Sequence, residues 1–561
     1  MPTSTVVHKY TELCRQTLHS QIAKDAPGWS ATMIRNGEEV FALADGWALA
    51  PWDSSLGQPI LMTPDTRIHL ASVSKFFTGC AVLAMIEDWN QVIAWAQARH
   101  GFLQAFYVNW SAGASTYNDI YTIPRREVIG GLSGASPPTD PSPTALAIAA
   151  DAARECRVPL GLADRALRSG SAIGLDTYAL DLMKPRLQGY IADLRARHPG
   201  AQWETLNYGA DFGLITLKQI MQHRLGIDES TWPSNGLGLR DGNYVPLDPN
   251  THEEIDNQDN WYWLLWLVKT SRLPQYRNTL PPNVYSNNGY ALLRGVVEAV
   301  TGMRFTDWVE QRVFARAGDG INISPWNDDL PSVRARYYQG GVDYTDPHAR
   351  AATRGRDMAS YGNVCSAGGY YGSTRDVARV VHAFNAGKIV SSDMVFKAIN
   401  GDGAGIDYVF PFDARDSDLG RIYLWKNGGT APSGLPQGCH AIFYILRPDT
   451  TICVAINSPD SGPDYVMRPL VETGAPQISK AGPSTTLTHP MYQLTNPVGA
   501  GDLWYKLSDV AQATDAGPLP SDFGFQQYSA PFSAPSGTTY CHVGLWDGDR
   551  PILGPVSLPL P

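Results

Sequence analysis

Between Phe76 and Ile86 the chain reads Phe-Phe-Thr-Gly-Cys-Ala-Val-Leu-Ala-Met-Ile, apolar on every face of a helix rather than along one stripe. A helix at a protein surface needs a polar side, so one without it has to be surrounded by protein. Ser72 to Asp88 is therefore read as a buried central helix that the rest of the fold must wrap. A length of 561 residues exceeds what one hydrophobic core usually organises, so one large domain and at least one smaller unit are expected. The apolar share of 43% and charged share of 17% are those of a globular protein, while Gly 53 and Pro 41 call for many turns and long loops.

Ahead of that helix, Ala31 to Ile34 and Val40 to Ala44 flank Arg35-Asn36-Gly37-Glu38. Asn-Gly between short apolar runs predicts a hairpin. Near the other end, Ala441 to Leu446 and Thr451 to Ile456 flank Arg447-Pro448-Asp449-Thr450, which predicts a second one. Between them, Tyr290 to Thr301 carries Leu292, Leu293, Val296, Val297 and Val300 at helical spacing and stops at Gly302. Ser373 reads as the N-cap of a helix over Val377 to Phe384. The fold class expected is α+β: an antiparallel sheet closed by its first and last segments, flanked by helices, with an all-helical region.

Residues 1–473 are expected to form the main domain, with an insertion or lid at about 89–171 marked by its Gly, Ser and Pro content and an Ala-rich helical stretch from Thr144 to Ala166. Residues 474–485 read as a linker. Short aromatic and β-branched runs over 486–561, such as Leu503 to Leu507 and Thr538 to Leu545, predict a small β-sandwich-like C-terminal domain.

Three short motifs carry the chemistry. In Ser72-Val73-Ser74-Lys75 a hydroxyl and an amine sit three apart and share one helix face, the spacing that brings a base to a nucleophile. Alone, a serine before an apolar helix is as readily an ordinary N-cap. In Tyr285-Ser286-Asn287, on an extended segment before the Tyr290 helix, residues two apart project the same way. The phenol of Tyr285 then serves as proton carrier and the amide of Asn287 as a donor to substrate or to Lys75; taken singly, Tyr285 is equally a packing residue. In Lys426-Asn427-Gly428-Gly429-Thr430, a strand with Lys and then Gly lets a substrate backbone lie alongside. The Gly429 amide joins that of Ser72 at a developing oxyanion, and Lys426 offers charge to a carboxylate; the plainer alternative is a glycine-rich turn leaving a strand.

In this order and at these separations the three motifs resemble the serine β-lactamase and penicillin-binding-protein superfamily, in its class C β-lactamase, D-alanyl-D-alanine carboxypeptidase and family VIII esterase branch. Pro64 to Ala71 is similar to that family's approach to the nucleophile, Ile215 to His223 to its helix before a His-Thr-Ser-Gly turn, and Ser366-Ala367-Gly368-Gly369 to its late Gly-Gly segment. This chain departs where Arg224-Leu225-Gly226 follows His223, where about eighty residues follow the nucleophile helix, and where Asn427 stands in the middle of the third motif. The resemblance implies attack by Ser72 on an ester, amide or D-amino-acid peptide carbonyl, a proton shuttle through Lys75 and Tyr285, an acyl-enzyme, and neither metal nor organic cofactor. Asn287, Lys426, Gly428 and Gly429 are the implied substrate-binding residues, and His223 is read as structural. The segment around Tyr528 to Phe532 is similar to the immunoglobulin-like end domain of chitobiases and is read as an appendage.

An acyltransferase using the same acyl-enzyme is the alternative within enzymes, with the insertion shielding the intermediate from water. A catalytically silent binding protein of the same fold is the alternative outside them. An α/β-hydrolase finds no G-x-S-x-G elbow here. A net charge of -10 without a dense Lys/Arg run argues against nucleic acid, leaving a small-molecule substrate as the expected partner and the oligomeric state open. No apolar run approaches a bilayer span. Seven scattered cysteines lack metal-ligand spacing, and with no basic-then-apolar segment over Met1 to Gln21 the expectation is a cytoplasmic protein, or a periplasmic or secreted one if a leader precedes this sequence.

Overall fold

The computed structural model describes residues 5–53, 58–100, 107–109, 126–128, 143–197, 212–225, 285–325, 335–356, 365–400, 411–412, 414–418, 421–430, 437–446, 450–459, 470, 473, 477–481, 490–509, 525–548 and 550–561. After helix α1 (Thr5–Ile22) comes the expected hairpin, β1 (Gly28–Arg35) and β2 (Glu38–Leu49). Its turn residues Asn36 and Gly37 have φ of 48° and 82°, the left-handed pair that a two-residue turn between twisted strands requires.

Then follow β3 (Ile60–Leu61), β4 (Ile68–His69), β5 (Tyr107–Asn109), β6 (Arg126–Val128), β7 (Tyr338–Gln339), β8 (Tyr371–Gly372), β9 (Ala414–Asp418), β10 (Arg421–Thr430), β11 (Gln437–Leu446) and β12 (Thr450–Ile456). The main sheet runs in the order β3-β2-β1-β12-β11-β10-β9, antiparallel throughout, with β7 paired to β11. β1 pairs with β12 from Trp29 opposite Ile456 to Arg35 opposite Thr450, so the sheet is closed by its early and late segments as the two hairpins predict.

Side chains alternate between the two faces of this sheet. Ala441, Phe443, Ile445, Cys453 and Ala455 join the core around the apolar helix, while Ile442, Ile452, Val454 and Ile456 join a second core on the outer face. Both faces are covered, which is why Ile452 to Ile456 of β12 reads as an unbroken apolar run and the strand is buried along its whole length.

The central helix, α2, spans Ser74–His100 and is longer than expected. Asp88 does not end it, because Arg312 and Arg316 reach that carboxylate at 3.0 and 3.1 Å, and Val92, Ile93 and Ala96 continue the buried face. The Ala-rich stretch is two helices, α3 (Pro143–Cys156) and α4 (Leu160–Ser169), because Arg157 turns left-handed at φ 56° and Pro159 cannot continue a helix. α5 (Ala179–Arg197) and α6 (Leu217–Met221) follow. The Asn287–Thr301 helix ends at Gly302 with φ 74°, and Ser373 caps the Thr374–Asn385 helix by accepting from the Asp376 amide, both as expected.

The C-terminal strands form a three-stranded sheet, β13 (Gln477–Lys480), β14 (Met491–Thr495) and β17 (Phe532–Ser533). A four-stranded sheet holds β16 (Gln526–Gln527), β15 (Asp502–Ser508), β18 (Tyr540–Asp547) and β19 (Arg550–Pro559). Gln477–Lys480 falls inside the stretch read as a linker, yet pairs antiparallel with β14. Leu494, Leu503, Phe532, Val543 and Leu545 share the outer core with Val7, Cys14 and Leu18 of α1. All seven cysteines are buried and unbridged. Among the described residues no helix is long and apolar enough to cross a membrane.

Candidate active site

The approach to Ser72 is strained and braced. Ala71 has φ 45°, a left-handed conformation that costs a non-glycine residue about 1 kcal/mol or more. Ser72 lies not in the long helix but in a single 3-10 turn, Ala71–Val73, that precedes it. The Leu70 amide donates to the Tyr370 carbonyl at 2.8 Å, and Ser74 Oγ accepts from the Tyr370 amide at 3.1 Å. Thr78 Oγ1 donates to the Ser366 carbonyl at 2.7 Å, so residues 366–370 clamp the turn and the start of α2 from one side.

β10 closes the other side. A Cβ on Gly428 would fall 2.4 Å from the Leu70 carbonyl oxygen and 2.8 Å from the Ser72 nitrogen. This position therefore admits only glycine, and Gly429 follows it at an exposed place on the strand. Asn427 is turned the other way, and its Oδ1 lies 2.5 Å from Nε2 of His440 on β11. The departure from the family motif at this residue is thus a contact across the outer side of the strand pair. Burial pushes the His440 imidazole down to about 4.

Lys75 is fully buried at the start of α2. It donates to Ser72 Oγ at 3.0 Å, to Asn287 Oδ1 at 2.6 Å and to the Ala367 carbonyl. Tyr285 Oη makes a short hydrogen bond to the same Ser72 oxygen, with its ring centroid 4.7 Å from Lys75 Nζ. Lys426 is also buried, and its Nζ lies 5.9 Å from the Tyr290 ring centroid, with Lys75 Nζ 5.6 Å from the same centroid. The Tyr290 hydroxyl donates to the Met221 carbonyl at 3.0 Å, which anchors the ring.

Ser72, Lys75, Tyr285 and Asn287 thus converge, with Gly428 against the Ser72 backbone and Lys426 beside the Tyr290 ring. Asn287 is the first residue of its helix rather than part of the extended segment, since Ser286, with φ −135°, is the N-cap and accepts from the Gly289 amide. Its amide oxygen faces Lys75 as an acceptor. The Ala367 carbonyl and the Tyr290 ring were not singled out in the sequence. A main-chain carbonyl has no residue-type signature; Tyr290, three residues after Asn287 on one helix face, does carry a positional one.

His223, read as structural, lies in the same cluster. It is buried, has φ 55°, and stacks on the Tyr285 ring at 4.5 Å between centroids and 25° between planes. Its Nδ1 accepts from the Ser286 amide at 3.0 Å. Burial, with the Lys426 and Lys75 charges, holds the imidazole at about 2.

A family model described as Beta-lactamase matches residues 14–90 and 145–471, more than half of the chain. The chain belongs to the β-lactamase family. As a member of the serine β-lactamase and penicillin-binding-protein superfamily it has a serine hydrolase fold. Between the two matched runs of this β-lactamase-family chain lie residues 91–144, so α4 and most of α3 belong to the second run.

Solved structures it is similar to include FmtA from Staphylococcus aureus, at 12% identity and TM-score 0.46, with 83% of this chain and 88% of that one covered. Another is a D-stereospecific amidohydrolase from Streptomyces sp., at 14% identity and TM-score 0.46, with 82% and 97% covered. A third is the octameric penicillin-binding protein homologue from Pyrococcus abyssi, at 13% identity and TM-score 0.44, with 98% and 100% covered. No curated protein sequence matches this chain.

Proposed function

We propose that this β-lactamase-family protein is a serine hydrolase that forms an acyl-enzyme through Ser72 on a small ester, amide or D-amino-acid peptide. The observation that carries the reading is the setting of Lys75 Nζ. Two of its partners, Asn287 Oδ1 and the Ala367 carbonyl, have no proton to give, so each takes an N–H. Along the Nζ–Ser72 Oγ contact of 3.0 Å Lys75 donates as an ammonium, and as the neutral amine it takes up the hydroxyl proton instead. That is the geometry of a base drawing the hydroxyl proton as the oxygen attacks a carbonyl.

Tyr285 Oη, on the same oxygen, relays the proton to the leaving group. The backbone amides of Ser72 and Gly429 stabilise the oxyanion, a role that the close approach of Gly428 to the Ser72 turn supports, and Lys426 attracts a substrate carboxylate. Water then releases the acyl group by the reverse path.

The test is intact-protein mass spectrometry of wild type and Ser72→Ala after incubation with p-nitrophenyl esters, a D-alanyl peptide and a chromogenic cephalosporin. A covalent adduct or turnover that vanishes in Ser72→Ala supports the reading and ranks the substrate classes. Turnover that survives in Ser72→Ala overturns it.

A further inference from the structure

We infer that His223 is a positioning residue for Tyr285, a neutral aromatic plate that holds the phenol over Lys75 with its hydroxyl on Ser72. The inference rests on the function proposed above and adds to it a residue outside the three motifs.

Tyr285 is 39% exposed and precedes the helix that begins at Asn287, so its own backbone gives the ring little support. The support comes from the imidazole, nearly parallel to the phenol at 4.5 Å and itself 5.1 Å from the Tyr290 ring. Tyr290 is buried and anchored to the Met221 carbonyl, so the stack ends on a fixed wall. A backbone N–H can only donate, so the bond from the Ser286 amide makes Nδ1 the acceptor and places the ring proton on Nε2. Because Ser286 is the residue next to Tyr285, this one bond ties the plate to the segment it supports.

A neutral plate also suits the place. Burial first, and then the nearby Lys426 and Lys75 side chains, disfavour an imidazolium there and keep the ring uncharged. The backbone at φ 55° calls for a residue that tolerates the left-handed region, and Asn is such a residue.

The experiment is a double-mutant cycle on the full-length protein, read as the rate of Ser72 labelling by a fluorophosphonate and as kcat and KM on whichever p-nitrophenyl ester is turned over. His223→Asn removes the plate but suits the backbone; His223→Gln is the second variant should the first not fold. In the wild-type background the expected loss is on the order of 10-fold to 100-fold in kcat with KM little changed, as for a displaced reacting group. In a Tyr285→Phe background, where there is no hydroxyl left to position, the same substitution is expected to cost less than about 2-fold. Equal losses in the two backgrounds would mean that His223 acts independently of the Tyr285 hydroxyl, and would overturn the inference. Ser72→Ala is run alongside: if labelling and turnover depend on Ser72 while the losses are equal, this inference fails alone, and if they do not depend on Ser72 the function fails with it.

Discussion

Gly428 lies so close to the turn that carries Ser72 that a Cβ on it would stand 2.8 Å from the Ser72 nitrogen and 2.6 Å from that of Val73. Backbone meets backbone here, and neither the strand β10 nor the clamped 3-10 turn has a flexible side-chain end that could give way. Gly428→Ala is expected to push the two apart, costing about 1–3 kcal/mol as for other overpacked sites. Because the displaced atoms include the Ser72 amide, the rate of Ser72 acylation is expected to fall by about 10²-fold, the scale of losing one oxyanion donor. Denaturant melts and labelling rates check the two halves separately.

Lys75 is expected to be needed for activating Ser72, and Asn287 for aiming Lys75. Lys75→Ala is predicted to slow acylation by about 10²-fold or more, the cost of losing a general base. Asn287→Ala removes one acceptor that orients the amine and leaves the Ala367 carbonyl, so a smaller loss, about 10-fold, is expected. Ser286, not Asn287, caps this helix, so the Asn287 change should alter stability by no more than about 1.5 kcal/mol. Stopped-flow acylation and thermal melts distinguish a misaimed base from a damaged fold.

The buried histidines give a stability that depends on pH. His440 is held at about 4, His69 at about 3 and His223 at about 2, in each case chiefly by burial. In the unfolded chain all three take up a proton near pH 6.5. The unfolded state therefore binds more protons below that value, and stability rises with pH through the window. It is fully present above about pH 6.5 and lost progressively as the pH falls from there, through about 4 for His440, about 3 for His69 and about 2 for His223. Urea midpoints between pH 7 and pH 4 are expected to fall, and His440→Gln to flatten part of that slope; a slope identical to wild type would contradict the assignment for His440.

Leu545 is fully buried in the core that β18 shares with α1 and the outer face of the main sheet. Leu545→Ala is expected to cost about 2–5 kcal/mol, the range for truncating a leucine in a packed interior. Because that core also takes in Ile442 and Val454 from the main sheet, unfolding followed by circular dichroism and Ser72 labelling lost with denaturant should shift together. A variant in which labelling midpoints stay at the wild-type value would show the C-terminal strands to be energetically separate.

The parts of this protein legible in its sequence are those whose physics is local. An apolar run with no polar face can only be a buried helix, Asn36-Gly37 can only turn one way between strands, and Gly302 and Ser373 mark helix ends through their own backbone and side-chain geometry. The spacing of Ser72 and Lys75, three residues apart, likewise determines that their side chains meet. What the tertiary structure alone decided are the relationships between segments far apart in the chain. That Ser72 occupies a strained turn ahead of the helix follows from Tyr370 and Gly428 pressing on it from both sides. That Arg312 and Arg316 pair with Asp88 inside α2 is likewise settled by residues more than two hundred positions away. That a main-chain oxygen at Ala367 anchors Lys75, that His223 stacks on Tyr285, and that α1 and the C-terminal strands share one core are likewise contacts across tens to hundreds of residues or with groups every residue possesses. Local periodicity and spacing carry no information about these, because their energies exist only once the chain has closed on itself.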